Sequence, residues 1–95
     1  MKVYEIDLKG VKTYLEFYPK IIKSMGFPDW CGENPDAIWD MLTWEIYTPC
    51  VICLKNMKSL PKDLQGEMEL LLKLFKEASE WYERFGKHME INITD

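Results

Sequence analysis

Three short strand-like segments alternate with helical ones along this chain, and this order constrains the fold more than any other feature of the sequence. Residues 2–8 (KVYEIDL) and 88–94 (HMEINIT) alternate apolar and polar side chains, whereas PCVICL at 49–54 is an apolar run. All three patterns are typical of strands. The connections between them contain helical sequence and are far too long for hairpins, which indicates right-handed crossovers between parallel strands. The predicted fold class is therefore α/β: a small three-stranded parallel sheet with helices packed on it.

The first helix is predicted from a capping box. Thr13 followed by Glu16 fits that motif, in which each residue bonds the other's backbone at a helix start. Pro19 removes a backbone donor, so this helix either kinks there or starts nearer to it. Its inward side chains are predicted to be Tyr14, Phe17, Ile21 and Ile22.

The second helix has a clear start signal. Asn34 can cap it, Pro35 suits the first helical position, and Asp36 lies in the first turn, where the helix dipole favours an anion. The apolar face of this helix is predicted to consist of Ala37, Ile38, Met41 and Leu42.

The strongest helical pattern comes between the second and third strands. Residues 59–64 (SLPKDL) predict at most a short helix, and residues 66–86 predict a long one that Gly86 ends. The apolar stripe of the long helix is Leu71, Leu74, Phe75, Ala78, Trp81 and Phe85.

Length and composition predict a single cytoplasmic domain. A chain of 95 residues suits one domain, which would span residues 1–95. A hydrophobic content of 47% can supply its core. The start MKVYEIDLKG lacks the apolar segment of a signal peptide, and no apolar run approaches the roughly 18–20 residues of a membrane span. Three cysteines cannot all pair within one chain, so we interpret them as reduced thiols in the cytoplasm.

Negative charge is concentrated in one part of the chain. No Lys or Arg occurs from Ser24 to Leu54, a stretch that holds five acids and three of the four tryptophans. The other eleven acids are balanced by twelve basic residues, so the net charge of −4 arises in this stretch. An acidic surface disfavours nucleic acid, because phosphates require cations, and favours a cationic protein partner.

Asp36 and Asp40 are four residues apart and share one face of the predicted helix. A solvated acidic face is the ordinary interpretation of such a pair. Trp39 between them and Trp30 just upstream favour a binding patch instead. The spacing of the carboxylates matches no metal-binding loop, and nothing marks a catalytic carboxylate pair. No metal and no cofactor is therefore predicted.

A thiol redox function is the alternative from a different class. Cys50 and Cys53 have the spacing of a redox motif, but both fall within a strand-like run, where residues three apart face opposite sides. Structural thiols are the simpler interpretation. His88 is the only histidine, and no catalytic triad or glycine-rich phosphate loop is evident.

The segment FPDWCGENPDAIWDMLT, residues 27–43, resembles the signature of the barstar family, intracellular inhibitors of barnase-type ribonucleases. Similarity continues more weakly at Pro49-Cys50-Val51 and at Phe75-Lys76-Glu77-Ala78. The positions that match the family signature are Pro28, Gly32, Asn34, Asp36, Ala37, Trp39, Asp40, Leu42 and Thr43.

The resemblance implies a partner and a set of binding residues. The partner would be a basic microbial ribonuclease of the barnase type, and the second helix with its preceding loop would plug the active site. Asp40 would be the central residue and Glu77 a peripheral one, although Glu77 could equally be an ordinary partner of Lys73. The predicted partner-binding residues are Trp30, Gly32, Asn34, Asp36, Trp39, Asp40 and Glu77.

The chain also departs from the family pattern. Cys31 replaces a loop aromatic residue, Pro35 replaces an apolar residue, and Trp44 stands where barstar itself has a helix-ending glycine. These departures keep a second binding hypothesis open, in which the same fold binds a different cationic toxin or enzyme.

Overall fold

The protein contains a three-stranded parallel sheet, as the connection lengths predict. A computed structural model describes residues 1–44 and 46–94, so Glu45, one of the five acids of the cation-free stretch, lies outside the described residues. Strands β1 (Lys2–Asp7), β2 (Cys50–Lys55) and β3 (Met89–Thr94) lie in the order β1-β2-β3, and both neighbouring pairs are parallel. In this register Tyr4 lies beside Ile52, and Ile52 beside Ile91.

One face of the sheet is covered and the other is open. Tyr4 and Ile6 of β1 and Ile52 and Leu54 of β2 are buried, as is Leu8 just after β1. On the opposite face Val3, Glu5 and Glu90 are exposed, while the β2 side chains between them are partly buried. The apolar run at 49–54 is thus a central strand buried on one face only.

Helix α1 (Tyr14–Ser24) begins at the predicted capping box. The Glu16 carboxylate reaches back and accepts the Thr13 backbone N–H at 3.2 Å. The helix neither starts nearer to Pro19 nor stops there. Pro19 is exposed, so water can hydrate the carbonyl of Leu15 that loses its usual donor.

The inward face of α1 is rotated slightly from the prediction. Phe17, Ile21 and Ile22 are buried as expected, but Tyr14 is half exposed and Tyr18 is buried in its place. The ring of Tyr14 lies 6.1 Å from that of Tyr18, measured between centroids. Tyr14 thus covers the end of the core, whereas Tyr18 enters it. The Tyr18 hydroxyl donates a hydrogen bond to the Glu67 carboxylate, which belongs to the helix that spans Lys62–Glu83.

Helix α2 (Pro35–Trp44) is followed by β2, and helix α3 (Lys62–Glu83) by β3. The predicted separate short helix at 59–64 is wrong, because α3 already begins at Lys62 and only a 3-10 turn, Met57–Ser59, precedes it. Gly66 therefore lies inside α3, where it costs about 1 kcal/mol relative to alanine. Burial of Leu64 and Met68 on either side offsets this cost.

The buried stripe of α3 also differs from the prediction at its ends. Leu71, Phe75 and Ala78 are buried as expected, and Leu74 and Trp81 are partly buried. Phe85 is 63% exposed, because the helix ends at Glu83 and Gly86, with φ +72°, reverses the chain. The buried residues that the predicted stripe omitted are Leu64, Met68 and Tyr82.

Tyr82 connects α3 to the end of α2. Burial raises the pKa of Tyr82 to about 12, so its hydroxyl remains protonated and donates to the backbone carbonyl of Leu42. The last turn of α2 is thereby fixed against α3.

Asp7 makes stability depend on pH at the carboxyl end of β1. Its Oδ1 accepts hydrogen bonds from the Asn56 side chain at 2.7 Å and from the Lys9 backbone N–H at 3.0 Å. These bonds hold the pKa of Asp7 below its ordinary value, the Asn56 bond contributing most. An aspartate with a lowered pKa stabilises the fold above its unfolded-state pKa, about 3.9, and this contribution is lost as the pH falls through the folded-state value.

We therefore expect Asp7→Asn to narrow the difference in unfolding free energy between pH 6 and pH 3, measured by urea denaturation. Asn56 has φ +60°, so Asn56→Gly preserves the left-handed backbone while removing the side-chain donor. It should narrow the difference as well. If both variants kept the full wild-type difference in unfolding free energy between pH 6 and pH 3, Asp7 would not be the source of this pH dependence.

In the part of the chain that the structure describes, no helix has the length and apolar character needed to cross a membrane.

Candidate functional site

The loop before α2 is anchored at two buried side chains. Gly26, with φ +71°, ends α1, and the Phe27 N–H donates back to the Ile22 carbonyl at 3.0 Å. Phe27 and Cys31 are both buried, and the Cys31 N–H closes a turn onto the Pro28 carbonyl at 3.0 Å. Between these anchors the loop bulges outward.

Trp30 occupies the tip of this loop. Its side chain is 74% exposed although its neighbour Cys31 is buried. Because a tryptophan contributes a large apolar area when it is covered, such exposure on an anchored loop is typical of a binding surface.

Gly32 and Asn34 shape the junction between the loop and α2. The Asn34 Oδ1 accepts the Ala37 backbone N–H at 2.9 Å, so Asn34 caps the helix as predicted. A Cβ on Gly32 would lie 3.0 Å from the Ala37 Cβ and 3.0 Å from the Asn34 Nδ2. A side chain at this position would press on the first turn of α2 and on the Asn34 cap, so glycine suits the close approach of the loop.

Asn34→Ala should lower the unfolding free energy by about 1 kcal/mol, because one backbone donor at the helix start loses its acceptor. Asn34→Asp is the matched control, since it retains the acceptor and adds an anion at the helix N-terminus. We expect its unfolding midpoint in urea to stay near that of the wild type. If both variants lost the same unfolding free energy, the helix cap would not be what Asn34 contributes to stability.

The two faces of α2 differ sharply. Ile38 and Leu42 are completely buried, whereas Asp36 and Asp40 are exposed. Among residues 1–44 and 46–94, neither aspartate has a salt bridge. Both carboxylates therefore face solvent without a paired cation from residues 1–44 and 46–94.

Asp40 also lies next to the loop. Burial raises the pKa of the Cys31 thiol, and the negative charge of Asp40 raises it further. The carboxylate is thus close to the loop anchor that holds Trp30 outward, which brings the loop and the helix into one surface.

Trp39 and Glu77 connect α2 to α3. They line a depression of about 240 Å³ together with Asp36, Lys73 and Leu74. They also line a second depression, of about 300 Å³, with Trp81 of α3. Trp39 is partly buried and packs against the core, so its ring is held in place in the lining that it shares with Asp36 and Glu77.

Glu77 has no salt bridge to Lys73 within the described residues, although the two are one helical turn apart. No ion pair among the described residues supports the interpretation of Glu77 as an ordinary partner of Lys73, and its part in binding stays a prediction. We use the term acidic face below for Trp30, Asp36, Trp39, Asp40 and Glu77.

Sequence reasoning named every residue of the acidic face but not its arrangement. It did not identify Cys31 as a buried anchor or Trp44 as an exposed side chain, which is 83% exposed at the end of α2. The exposure of Trp44 could have been predicted from its position. It follows Asp36 and Asp40 at the same spacing of four residues, which places it on the same exposed side of α2.

Cys50 and Cys53 do not form a redox pair. Cys50 is completely buried on the covered face of the sheet, and Cys53 lies on the open face. All three cysteines are free thiols. Residues three apart in a strand face opposite sides, as the sequence predicted.

A three-stranded parallel sheet with its helices and an exposed acidic helix defines a small α/β protein of barstar-like architecture. The chain belongs to the barstar family: the family model described as "Barstar (barnase inhibitor)" matches residues 1–94. A relative from Bacillus subtilis (strain 168), named "Putative ribonuclease inhibitor YrdF", is 36% identical over 80 residues, which are 84% of this chain and 88% of the relative.

Family membership confirms the resemblance noted in residues 27–43. It also confirms the prediction that the chain is not an enzyme, because the family consists of inhibitors.

Proposed function

We propose that this protein inhibits a basic ribonuclease of the barnase type by inserting its acidic face into the phosphate-binding cleft of the enzyme. Family membership and the name of the relative both support ribonuclease inhibition as the general function. The acidic face supports the finer statement about the partner and the manner of binding.

The carboxylates of Asp36 and Asp40 carry this proposal, because they are exposed and form no salt bridge in the described part of the chain. A ribonuclease must hold RNA phosphates with cationic side chains, and a carboxylate can accept the same charge-assisted hydrogen bonds. Because no Lys or Arg occurs between Ser24 and Leu54, no fixed cation of this stretch repels the enzyme. The acidic face thus imitates the charge of the substrate without offering a bond to cleave.

The depression between α2 and α3 fits one cationic side chain of the enzyme. Its lining combines the aromatic ring of Trp39 with the acidic side chains of Asp36 and Glu77. An arginine can stack its planar guanidinium on an aromatic ring while donating to flanking carboxylates. Lys73 also lines the depression, and its long, flexible side chain can move aside when such a group enters.

Rigidity of the scaffold favours tight binding. The cap at Asn34 and the buried side chains of Ile38 and Leu42 hold α2 in place before any partner arrives. A surface that is already ordered loses less conformational entropy on binding. Trp30, exposed on an anchored loop, adds an apolar contact beside the charged ones.

This function places the inhibitor in the cytoplasm. A cell that secretes a ribonuclease must protect its own RNA before export, so the inhibitor acts where the enzyme is made.

The test is a titration of the protein against RNA cleavage by barnase and other barnase-type ribonucleases, at about 50 mM and about 500 mM salt. We expect inhibition at one inhibitor per enzyme, with an inhibition constant that rises with salt because exposed charges meet during association. No inhibition of any member of the panel would contradict the barnase-type partner. Binding to another basic protein from the same cell would then assign the fold to a different cationic target, which the departures at Cys31 and Trp44 favour as the second candidate.

A further inference from the structure

Trp44 extends the line of Asp36 and Asp40 by one more turn of α2. The spacing of four residues places the three side chains on one side of the helix, with a rise of about 6 Å per step. Trp44 is the last residue of α2 and is 83% exposed. Helical side chains lean toward the N-terminus, which directs its ring toward the turn that carries Asp40.

Trp81 in the last turn of α3 and Phe85 just after the helix line the same depression as Trp44. The rings of Trp81 and Phe85 pack edge to face, with centroids 5.0 Å apart. Together with Trp44, Ile46 and Tyr82 they line an open depression of about 410 Å³. We use the term aromatic shelf for Trp44, Trp81 and Phe85. Exposed apolar clusters of this kind usually mark surfaces that another molecule covers.

The charges around the aromatic shelf indicate what covers it. Its described lining includes Lys87 and no carboxylate, so the shelf favours an apolar group over a cation. Any protein seated on Trp44 must also face Asp40. A second copy of this chain, related by a two-fold axis, would bring like carboxylates together, whereas a cationic protein would be attracted.

We propose that the aromatic shelf binds an apolar side chain of the same ribonuclease whose cations meet the acidic face. Trp44 then acts as a specificity residue: it favours ribonucleases that carry an apolar side chain beside the phosphate-binding cleft. This inference rests on the proposed function and adds the chemistry of the partner surface next to the active site.

The experiment measures inhibition constants of the wild type, Trp44→Ala, Asp40→Ala and Leu15→Ala against barnase and the other panel ribonucleases at both salt concentrations. Trp44→Ala should weaken inhibition of the most tightly bound ribonuclease by about 30-fold, the loss expected for a tryptophan at the centre of an apolar contact. Because the contact is apolar, this ratio should be the same at both salt concentrations. The ratio for Asp40→Ala should shrink at high salt.

Leu15→Ala is the matched control, since Leu15 is 85% exposed on α1 and lines none of the three depressions described above. Inhibition by Trp44→Ala within about twofold of the wild type, alongside a large loss in Asp40→Ala, would overturn the aromatic shelf while leaving the proposed function intact. A wild-type dimer in sedimentation that Trp44→Ala dissociates would assign the shelf to a second copy and also overturn it. Absence of inhibition by the wild type would overturn the proposed function and this inference together.

Discussion

Asp40→Ala should weaken inhibition of the target ribonuclease by roughly 150-fold or more while leaving the protein folded. Asp40 is exposed and has no salt bridge in the described part of the free protein, so its removal breaks nothing in the fold. In the complex it would be buried against cations of the enzyme. Removing one member of a buried charge pair leaves the other uncompensated, which costs about 3 kcal/mol or more.

The stability of the free protein should change in the opposite direction. Asp36 and Asp40 repel each other at a spacing of four residues, and alanine favours the helix more than aspartate does. We therefore expect Asp40→Ala to unfold at the same or slightly higher urea concentration than the wild type. This outcome would separate a loss of binding from a loss of folding.

Two further variants define what Asp40 contributes. Asp40→Asn keeps the shape and removes the charge, so it should lose most of the same inhibition. Glu5→Ala removes an equal charge from the open face of the sheet, where Glu5 pairs with Lys55 at 3.1 Å, and should leave inhibition nearly unchanged. If Glu5→Ala and Asp40→Ala weakened inhibition equally, the net charge of the protein, and not the acidic face, would be responsible.

The fold could be predicted because its main determinants are local. Strand alternation in residues 2–8 and the length of the helical connections require parallel strands, and the parallel order β1-β2-β3 agrees. The capping residues Thr13 and Asn34 act on the backbone within one turn, so their roles are readable from spacing alone.

The errors in the fold arose where tertiary burial outweighs local preference. Pro61 and Gly66 read as helix breakers, yet α3 begins between them because Leu64 and Met68 are buried. Phe85 continues the apolar stripe in sequence, but the turn at Gly86 removes it from the helix phase. Neither outcome can be read from periodicity, because each depends on which surface the helix meets.

Only the part of the acidic face that depends on local spacing could be predicted from the residue pattern. The separation of Asp36 and Asp40 is set by one helix and was evident from sequence. The placement of Glu77 beside Trp39 depends on how α2 packs against α3, and only the family resemblance indicated it. The burial of Cys31 follows from the path of the loop, which short-range patterns do not determine.

Ile38→Ala should lower the stability of the protein and leave inhibition by the folded fraction intact. This is the converse of Asp40→Ala, although the two residues lie only two positions apart on the same helix. Helix α2 has only ten residues, too few to be stable alone, so buried side chains must hold it. Ile38 is completely buried, and truncating such a side chain to alanine costs about 3 kcal/mol through lost burial and the cavity left behind. This is a large part of the roughly 5–15 kcal/mol that keeps a domain folded.

We expect urea denaturation, followed by tryptophan fluorescence, to show a much lower midpoint for Ile38→Ala and a loss of about 1 kcal/mol for the control Ile38→Val. Both variants keep every carboxylate of the acidic face, so the folded fraction should still inhibit, and excess ribonuclease should raise the midpoint because it binds the native state alone. An Ile38→Ala protein that is as stable as the wild type would contradict the packing of α2. One that folds but no longer inhibits would show that Ile38 sets the orientation of the acidic face as well as its stability.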